Sequence, residues 1–295
     1  MSEPELSVVV ASVNGLPDLE ACLDALGERC PEAEVIVADW TDERTRARVR
    51  ERWPEVTLLS FDEPATVPEL RAAGIAAARA PYVALLEDHC VVRNGWAASV
   101  LAAHRAGRPV VGGPIRNAAT RRLRDWAAFF CEYSEHMEPL LTGVAPSLPG
   151  MNVSYDRRAL EAMAGLLAEG RWETWLHPHL VREGFELYAD AGMAVDHVKR
   201  FGFREFLAQR YHYSRSHAGM RNAELGRLRA VYLLGSPALV PLLYWRIAGR
   251  IFRKRANRLR FLAASPLVLL YTAVWAFGEA AGYALGDGRS LLRVR

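Results

Sequence analysis

The stretch PYVALLEDHC, residues 81–90, decides how the rest of the chain is read. Tyr82, Val83, Ala84, Leu85 and Leu86 form an apolar run too short for a helix, which predicts a strand buried on both faces. That strand delivers Glu87, Asp88 and His89 together to its carboxyl end, the edge where open α/β sheets bind ligands. Two carboxylates and an imidazole there suit a borderline cation such as Mn2+ or Mg2+, which can neutralise a diphosphate. The same residues would also serve as an acidic turn capping the next element, so the surrounding sequence has to separate the two readings.

Strand and helix signals alternate upstream. Leu6 to Ser12 is an apolar run ending at Asn14-Gly15, after which Leu16, Leu19, Leu23 and Leu26 recur at helical spacing. EVIVAD at 34–39 reads as a second strand, Val56 to Phe61 as a third, and Val67 to Ala80 as an Ala-rich helix leading into the 81–90 strand. This rhythm predicts an α/β fold with a parallel, doubly wound sheet. Polar groups converge on the same sheet edge: Ser12 and Asn14 after the first strand, Asp39 after the second, and Arg71 within the Ala-rich helix. Beyond Gly112-Gly113 the pattern changes to longer helices and isolated short strands, expected to build an acceptor face.

Composition narrows the function classes. The 295 residues are 51% hydrophobic and 24% charged, as in a packed globular chain rather than a disordered one. A net charge of +3, with basic residues gathered late instead of interleaved with aromatics, argues against a nucleic-acid partner. Cys22, Cys30, Cys90 and Cys131 have neither CxxC spacing nor the density of a disulfide scaffold, which fits reduced thiols. The start from Met1 to Leu6 is polar and acidic, so no signal peptide is expected and the amino-terminal part is placed in the cytosol.

The carboxyl-terminal composition is different. Ala230 to Trp245 has no charged residue, seven basic residues follow within 246–260, and Phe261 to Gly278 is again uncharged. We therefore expect a catalytic domain over 1–225 and a membrane-associated helical region over 226–295 with a basic linker at 246–260. The second apolar stretch continues through Leu285 and reaches the ~20 residues a spanning helix needs. The first carries Pro237 and Pro241 and is expected to dip or lie flat, since a hairpin of two spans would put the basic linker outside. The expected partner is a cell membrane, with the amino-terminal domain expected on the cytoplasmic side.

Taken in order, these motifs resemble the inverting glycosyltransferases of family 2, which have a GT-A fold. SVVVASVN at 7–14 is similar to the family's opening strand, EVIVAD at 34–39 to its second, LRAAGI at 70–75 to its Arg-Asn-x-Gly helix, and LLEDH at 85–89 to its Asp-x-Asp motif. The resemblance implies a nucleotide-sugar donor, of UDP type, held by Ala11, Ser12, Asn14, Asp39 and Arg71. It implies a lipid-linked or glycan acceptor, and a sugar pocket closed by LPGMNVSY at 148–155, where Gly150 would let the backbone approach a hexose.

Two departures from the family pattern matter. Glu-Asp-His replaces Asp-x-Asp and is similar to the Asp-Ser-His-Cys motif of polypeptide N-acetylgalactosaminyltransferases, which implies Mn2+ or Mg2+ held by Glu87, His89 and a later histidine, His197 in VDHVKR. Asp88 is then left to bind the sugar or to serve as the metal-binding acid instead. The second departure is in WETWL at 172–176, where Glu173 stands in the place of the catalytic base and Thr174 in the place of a second acid. Glu173 would deprotonate the acceptor, or else only orient it or cap the helix. Residues 201–221 carry Arg210, His212, Arg215 and His217 among aromatics, and suit either a lid over the diphosphate or a helix packing towards a membrane. Two other classes would fit part of the pattern. A nucleotidyltransferase would want a basic glycine-rich loop after the first strand, which ASVNG at 11–15 lacks, and a non-catalytic carbohydrate-binding protein would explain Thr174.

Overall fold

The computed structural model describes residues 3–294, so the first two residues of the polar amino-terminal stretch lie outside it. Strands β1 (Leu6–Ser12), β2 (Glu34–Asp39), β3 (Thr57–Ser60), β4 (Tyr82–Glu87), β5 (Cys90–Val92), β6 (Val110–Gly112), β7 (Ile115–Asn117), β8 (Gly143–Val144), β9 (Asn152–Asp156), β10 (Leu187–Ala189) and β11 (Val195–His197) are interspersed with helices. These are α1 (Asp18–Arg29), α2 (Glu43–Arg52), α3 (Val67–Ala77), α4 (Trp96–Arg105), α5 (Leu123–Tyr133), α6 (Arg157–Ala162), α7 (Ala164–Ala168) and α8 (Glu173–Arg182). Helices α9 (Phe203–Leu225), α10 (Arg229–Gly235), α11 (Leu239–Lys254) and α12 (Arg258–Leu285) follow. The chain packs as two compact units: one runs up to Ala118 and includes His136–Lys199, and the other comprises Ala119–Glu135 with the chain from Arg200 onward. Segment 200–225, expected with the catalytic domain, therefore packs in the second unit.

The first unit is built on a sheet ordered β3-β2-β1-β4-β9-β6-β10-β8. The strands β3, β2, β1 and β4 run parallel, as the alternation of strand and helix signals predicts. Strand β9 enters antiparallel between β4 and β6, a direction that local sequence does not encode. All seven residues of β1 are buried, consistent with a central strand covered on both faces. Helix α3 starts with a capping box between Thr66 and Glu69 and lies on β1, where a Cβ at Gly74 would collide with the Val9 side chain. Helix α2, ERTRARVRER, escapes an apolar-periodicity reading because only Thr45, Arg46 and Val49 turn inward.

Register sets the site. Ser12 pairs with Asp39 and Ala11 with Glu87, so the ends of β1, β2 and β4 finish at one level. Beyond β4 the chain turns through Asp88-His89 into β5, part of a small sheet ordered β5-β11-β7. There His197 lies opposite Cys90, and the Val198 amide donates to the His89 carbonyl at 3.1 Å.

In the second unit, one face of α12 packs first against α5 and α11 and then along α9. Phe261 meets Phe130 and Tyr244, while Tyr271 meets Phe206 and Trp275 meets Tyr213. Gly278 allows close approach, since a Cβ there would lie 2.6 Å from the Tyr211 carbonyl oxygen. The segments Gly226–Lys254 and Arg258–Leu285 are long and apolar enough to cross a membrane, although a 3-10 turn at Ser236–Ala238 interrupts the first.

Candidate functional site

The residues at the carboxyl ends of β1 and β4 form a tightly bonded cluster. Asp88 is fully buried, and its Oδ2 accepts the backbone amides of Val13 (2.9 Å), Asn14 (2.6 Å) and Gly15 (3.2 Å). Its Oδ1 accepts from Asn14 Nδ2 at 2.7 Å and lies 3.0 Å from His89 Nδ1. Burial alone would raise the Asp88 carboxyl, but the hydrogen bonds from His89 and the Asn14 donors outweigh it and hold the group below the usual aspartate range. Asp88 thus fastens the β1–α1 loop, and Asn14 is committed to it. Ser12 Oγ, at the end of β1, is buried without a hydrogen-bond partner, whereas the Ser12 and Ala11 carbonyls accept from the Trp40 and Asp88 amides.

His89 takes its tautomer from this contact. With Nδ1 facing a carboxylate, the proton is assigned to Nδ1 and the Nε2 lone pair is left outward. Nε2 lies 3.4 Å from Glu87 Oε2, so two electron-pair donors face each other. The His197 ring packs edge-on against His89 with centroids 4.7 Å apart. Burial, then the neighbouring His89 and Lys199, push the His197 imidazole well below its ordinary range, so it is neutral at physiological pH. The structure gathers Glu87, His89 and His197. Among the described residues, however, no three or more His, Cys, Asp or Glu side chains are arranged to close on one metal ion. The donor set that does fit a divalent cation is the Glu87–His89 pair, one hard oxygen and one imidazole nitrogen, leaving further coordination to phosphate or water.

Arg71, expected to hold the nucleoside, is placed between carboxylates. From the middle of α3, buried, it donates through Nη2 to Glu87 Oε1 at 2.6 Å and through Nη1 to Glu173 Oε1, with its guanidinium 5.8 Å from the Trp172 ring centroid. Glu87 therefore gives one oxygen to Arg71 and turns the other towards His89. Glu173 is the first residue of α8, and its carboxylate rests on the backbone of Gly150, where no side chain would fit. Asp39 ends β2 fully buried, accepting from Thr41 Oγ1 (2.8 Å) and Arg46 Nε (3.1 Å). Arg46 continues to Asp62 at 2.7 Å, tying the ends of β2 and β3 together.

Several residues of this region have no role of their own in the sequence reading, although Asn152 and Tyr155 fall within LPGMNVSY at 148–155. Tyr155 on β9 and His177 on α8 share a buried hydrogen bond of 2.8 Å. Burial brings the His177 imidazole down to about 4. His177 follows Glu173 by one helical turn, and that i, i+4 spacing is the signal that could have found it. Asn152, the first residue of β9, ties α4 to the loop between β10 and β11, accepting from Trp96 Nε1 at 2.9 Å and donating to the Met193 carbonyl at 2.7 Å. Only the folded topology brings those partners together.

Known proteins place this arrangement. Residues 7–163 match the family model described as Glycosyl transferase family 2. No curated protein matches the chain in sequence. A mannosyltransferase of Pyrobaculum calidifontis, solved with GDP-Man and Mn2+, is similar in structure at 15% identity and a TM-score of 0.54, covering 98% of this chain and 88% of its own. The structure of S. aureus TarS 1–349 is similar at 11% identity and a TM-score of 0.49, over 95% of this chain and 91% of its own. The family match runs from β1 to the end of α6 and takes in more than half of the chain, so the chain belongs to glycosyl transferase family 2 and is a glycosyltransferase of GT-A fold.

Proposed function

We propose that the chain moves a sugar from a nucleotide-sugar donor to a lipid-linked or otherwise membrane-proximal acceptor with inversion at the anomeric carbon, and that it depends on Mn2+ or Mg2+. The observation that carries this reading is the bridge Glu87–Arg71–Glu173, which sets a face for a cation and a carboxylate base on either side of one buried guanidinium. When bound, the cation would neutralise the departing diphosphate. Glu87 Oε2 and His89 Nε2 would hold it, with His197 behind the His89 ring and Asp88 fixing the tautomer. Glu173 accepts the proton of the acceptor hydroxyl as that oxygen attacks the anomeric carbon. Its tie to Arg71 keeps it aimed, which is what a base needs before substrate arrives.

Ala11, Ser12, Asn14 and Asp39 line up with the nucleotide end, where Ser12 Oγ is a buried hydroxyl with bonding capacity to spare. Gly150 would admit the sugar beside Glu173. A UDP-sugar is the expected donor, and because the P. calidifontis neighbour was solved with GDP-Man, GDP-mannose belongs in the same screen. Membrane contact is assigned to the helices of 226–295, with the catalytic part on the cytoplasmic side.

The test is a thermal-shift screen of nucleotide sugars with and without Mn2+, followed by transfer assays and the anomeric configuration of the product by NMR. A nucleotide sugar that raises the melting temperature only with the cation, and an inverted product, are expected. If no donor shifts the melt or is turned over, the transferase reading fails, while a retained anomer removes Glu173 as the base of an inverting reaction.

A further inference from the structure

The second unit carries an apolar surface that its own packing leaves uncovered. On α12, Leu262, Pro266, Leu269, Ala273 and Phe277 recur at i, i+3/i+4 spacing and are all exposed, Phe277 to 68%. Helices α10 and α11 add Leu234 and Trp245, exposed to 83% and 70%. An uncovered stripe of this size on a soluble domain marks an interaction site. Its charge indicates what covers it: residues 226–286 hold nine Arg or Lys against one acid, Glu279, which is buried. Arg253, Arg255 and Arg258 are exposed around the α11–α12 turn.

The opposite face of α12 opposes a transmembrane path. It is packed along α9, a helix that carries Arg204, Glu205, Arg210, Arg215, Arg221 and Glu224. The two are joined by polar contacts: Asn222 Nδ2 donates to the Gly282 carbonyl at 3.0 Å, Arg221 to the Tyr283 hydroxyl at 3.2 Å, and the Arg210 guanidinium lies 4.1 Å over the Trp275 ring. A spanning α12 would draw this charged helix into hydrocarbon or tear the packing apart, and either is costly. With its inner side fastened to charged α9, α12 has only its outer stripe free for lipid, and the pair together is amphipathic, which suits the plane of the interface instead.

We infer that α10, α11 and α12 bind an anionic bilayer surface by lying in one leaflet, and that α12, although long enough to cross, does not. This deepens the membrane contact of the proposed function but does not depend on the transfer chemistry. The basic turn stays on the side from which the protein approaches, among acidic headgroups, which a spanning hairpin would forbid.

The experiment uses the full chain with Cys131→Ala, added outside sealed phosphatidylglycerol/phosphatidylcholine vesicles, with single cysteines introduced by Ala256→Cys at the turn and Leu269→Cys in the stripe. Expected results are co-flotation with the vesicles, labelling of A256C by impermeant maleimide without lysis, and protection of L269C only when vesicles are present. Arg253→Gln with Arg255→Asn should weaken partitioning into these vesicles roughly 30-fold while donor turnover is unchanged; asparagine suits the left-handed backbone at 255 (φ 54°). Labelling of A256C only after lysis would show that both helices cross, and labelling of a cysteine introduced by Arg289→Cys, beyond α12, only after lysis would show that α12 alone crosses; either overturns the proposal. Bound protein with L269C still reactive, or absence of binding with L269C shielded in a concentration-dependent dimer, would overturn the proposal in favour of a peripheral contact or a second copy. Donor turnover on the same samples separates any of these failures from failure of the transferase reading.

Discussion

Gly150→Ala would challenge the assigned base with a single methyl group. A Cβ at residue 150 would fall within 3.0 Å of the Glu173 carboxylate carbon and both oxygens, whereas relaxed contact needs about 3.5 Å or more. The carboxylate is the free end of a flexible side chain, so it gives way before the backbone does and must retreat by about 1 Å or more. That movement breaks the pair with Arg71 while Arg71 keeps Glu87. Since the Glu173 side chain is 13% exposed and can swing towards water, the stability cost should stay at about 1–2 kcal/mol, below that of deleting a buried partner. Catalysis should suffer more: a misplaced general base costs roughly 100-fold in kcat, or about 2.7 kcal/mol, with little change in donor KM. Steady-state transfer kinetics beside thermal melts measure both quantities. Gly165→Ala, whose Cβ would meet nothing within 4 Å, is the matched control, and Glu173→Gln should reproduce the kcat loss without altering side-chain volume. A folded G150A enzyme with wild-type kcat would refute the assignment of Glu173.

Other expectations concern the cation, the loop clamp, the core and pH. Chelation with EDTA should abolish transfer, and His89→Ala should raise the Mn2+ concentration for half-activity at least roughly 10-fold; an unchanged requirement would remove His89 from the cation site. Asp88→Asn replaces an anion receiving three backbone amides and should lower stability by about 2–4 kcal/mol, read as a fall in urea midpoint, and a variant as stable as wild type would contradict the clamp. Gly74→Ala forces a Cβ into Val9, a short branched side chain fixed on the central strand, so a loss of about 1–3 kcal/mol is expected in the same assay. Burial brings the His177 imidazole from an ordinary 6.5 down to about 4 in the folded chain, so as pH falls the unfolded state takes up the proton first. Stability should decline between about pH 6.5 and 4 by up to about 3 kcal/mol from this group, and His177→Gln should flatten that slope in melts across the range; an identical slope would show that another group carries it.

What the sequence disclosed, and what it withheld, follows from the range of the interactions involved. The strand ending at Glu87 is marked by a short apolar run, the first helix by leucines at helical spacing, and the sheet edge by polar residues immediately after each strand, all within a dozen residues. Helix α2 was hidden because its inward side is made by Arg46, a charged residue buried only because Asp39 and Asp62 receive it. The bridge from Arg71 to Glu173 joins residues 102 apart, and His197 reaches His89 only through the small β5-β11-β7 sheet. No local pattern reports such pairings. The resemblance of LRAAGI to a family helix located Arg71 but not the carboxylates it holds.

The adjacent acids of the opening stretch show how strand geometry divides chemical labour. Glu87 ends β4 and Asp88 begins the turn that follows, so the two adjacent carboxylates are sent to different partners. Glu87 is partly open and turns towards His89, two positions on, whereas Asp88 is sealed beneath the loop at 13–15. The buried acid has its own effect on the site, because by holding the proton on His89 Nδ1 it leaves Nε2 as the donor that faces Glu87. Exchanging Glu87 and Asp88 would preserve composition and charge, yet it would put the longer acid under the loop and the shorter one out of reach of both Arg71 and His89. The order Glu-Asp-His thus has a physical requirement at each position: reach at 87, a short buried acceptor at 88, and an imidazole oriented by it at 89.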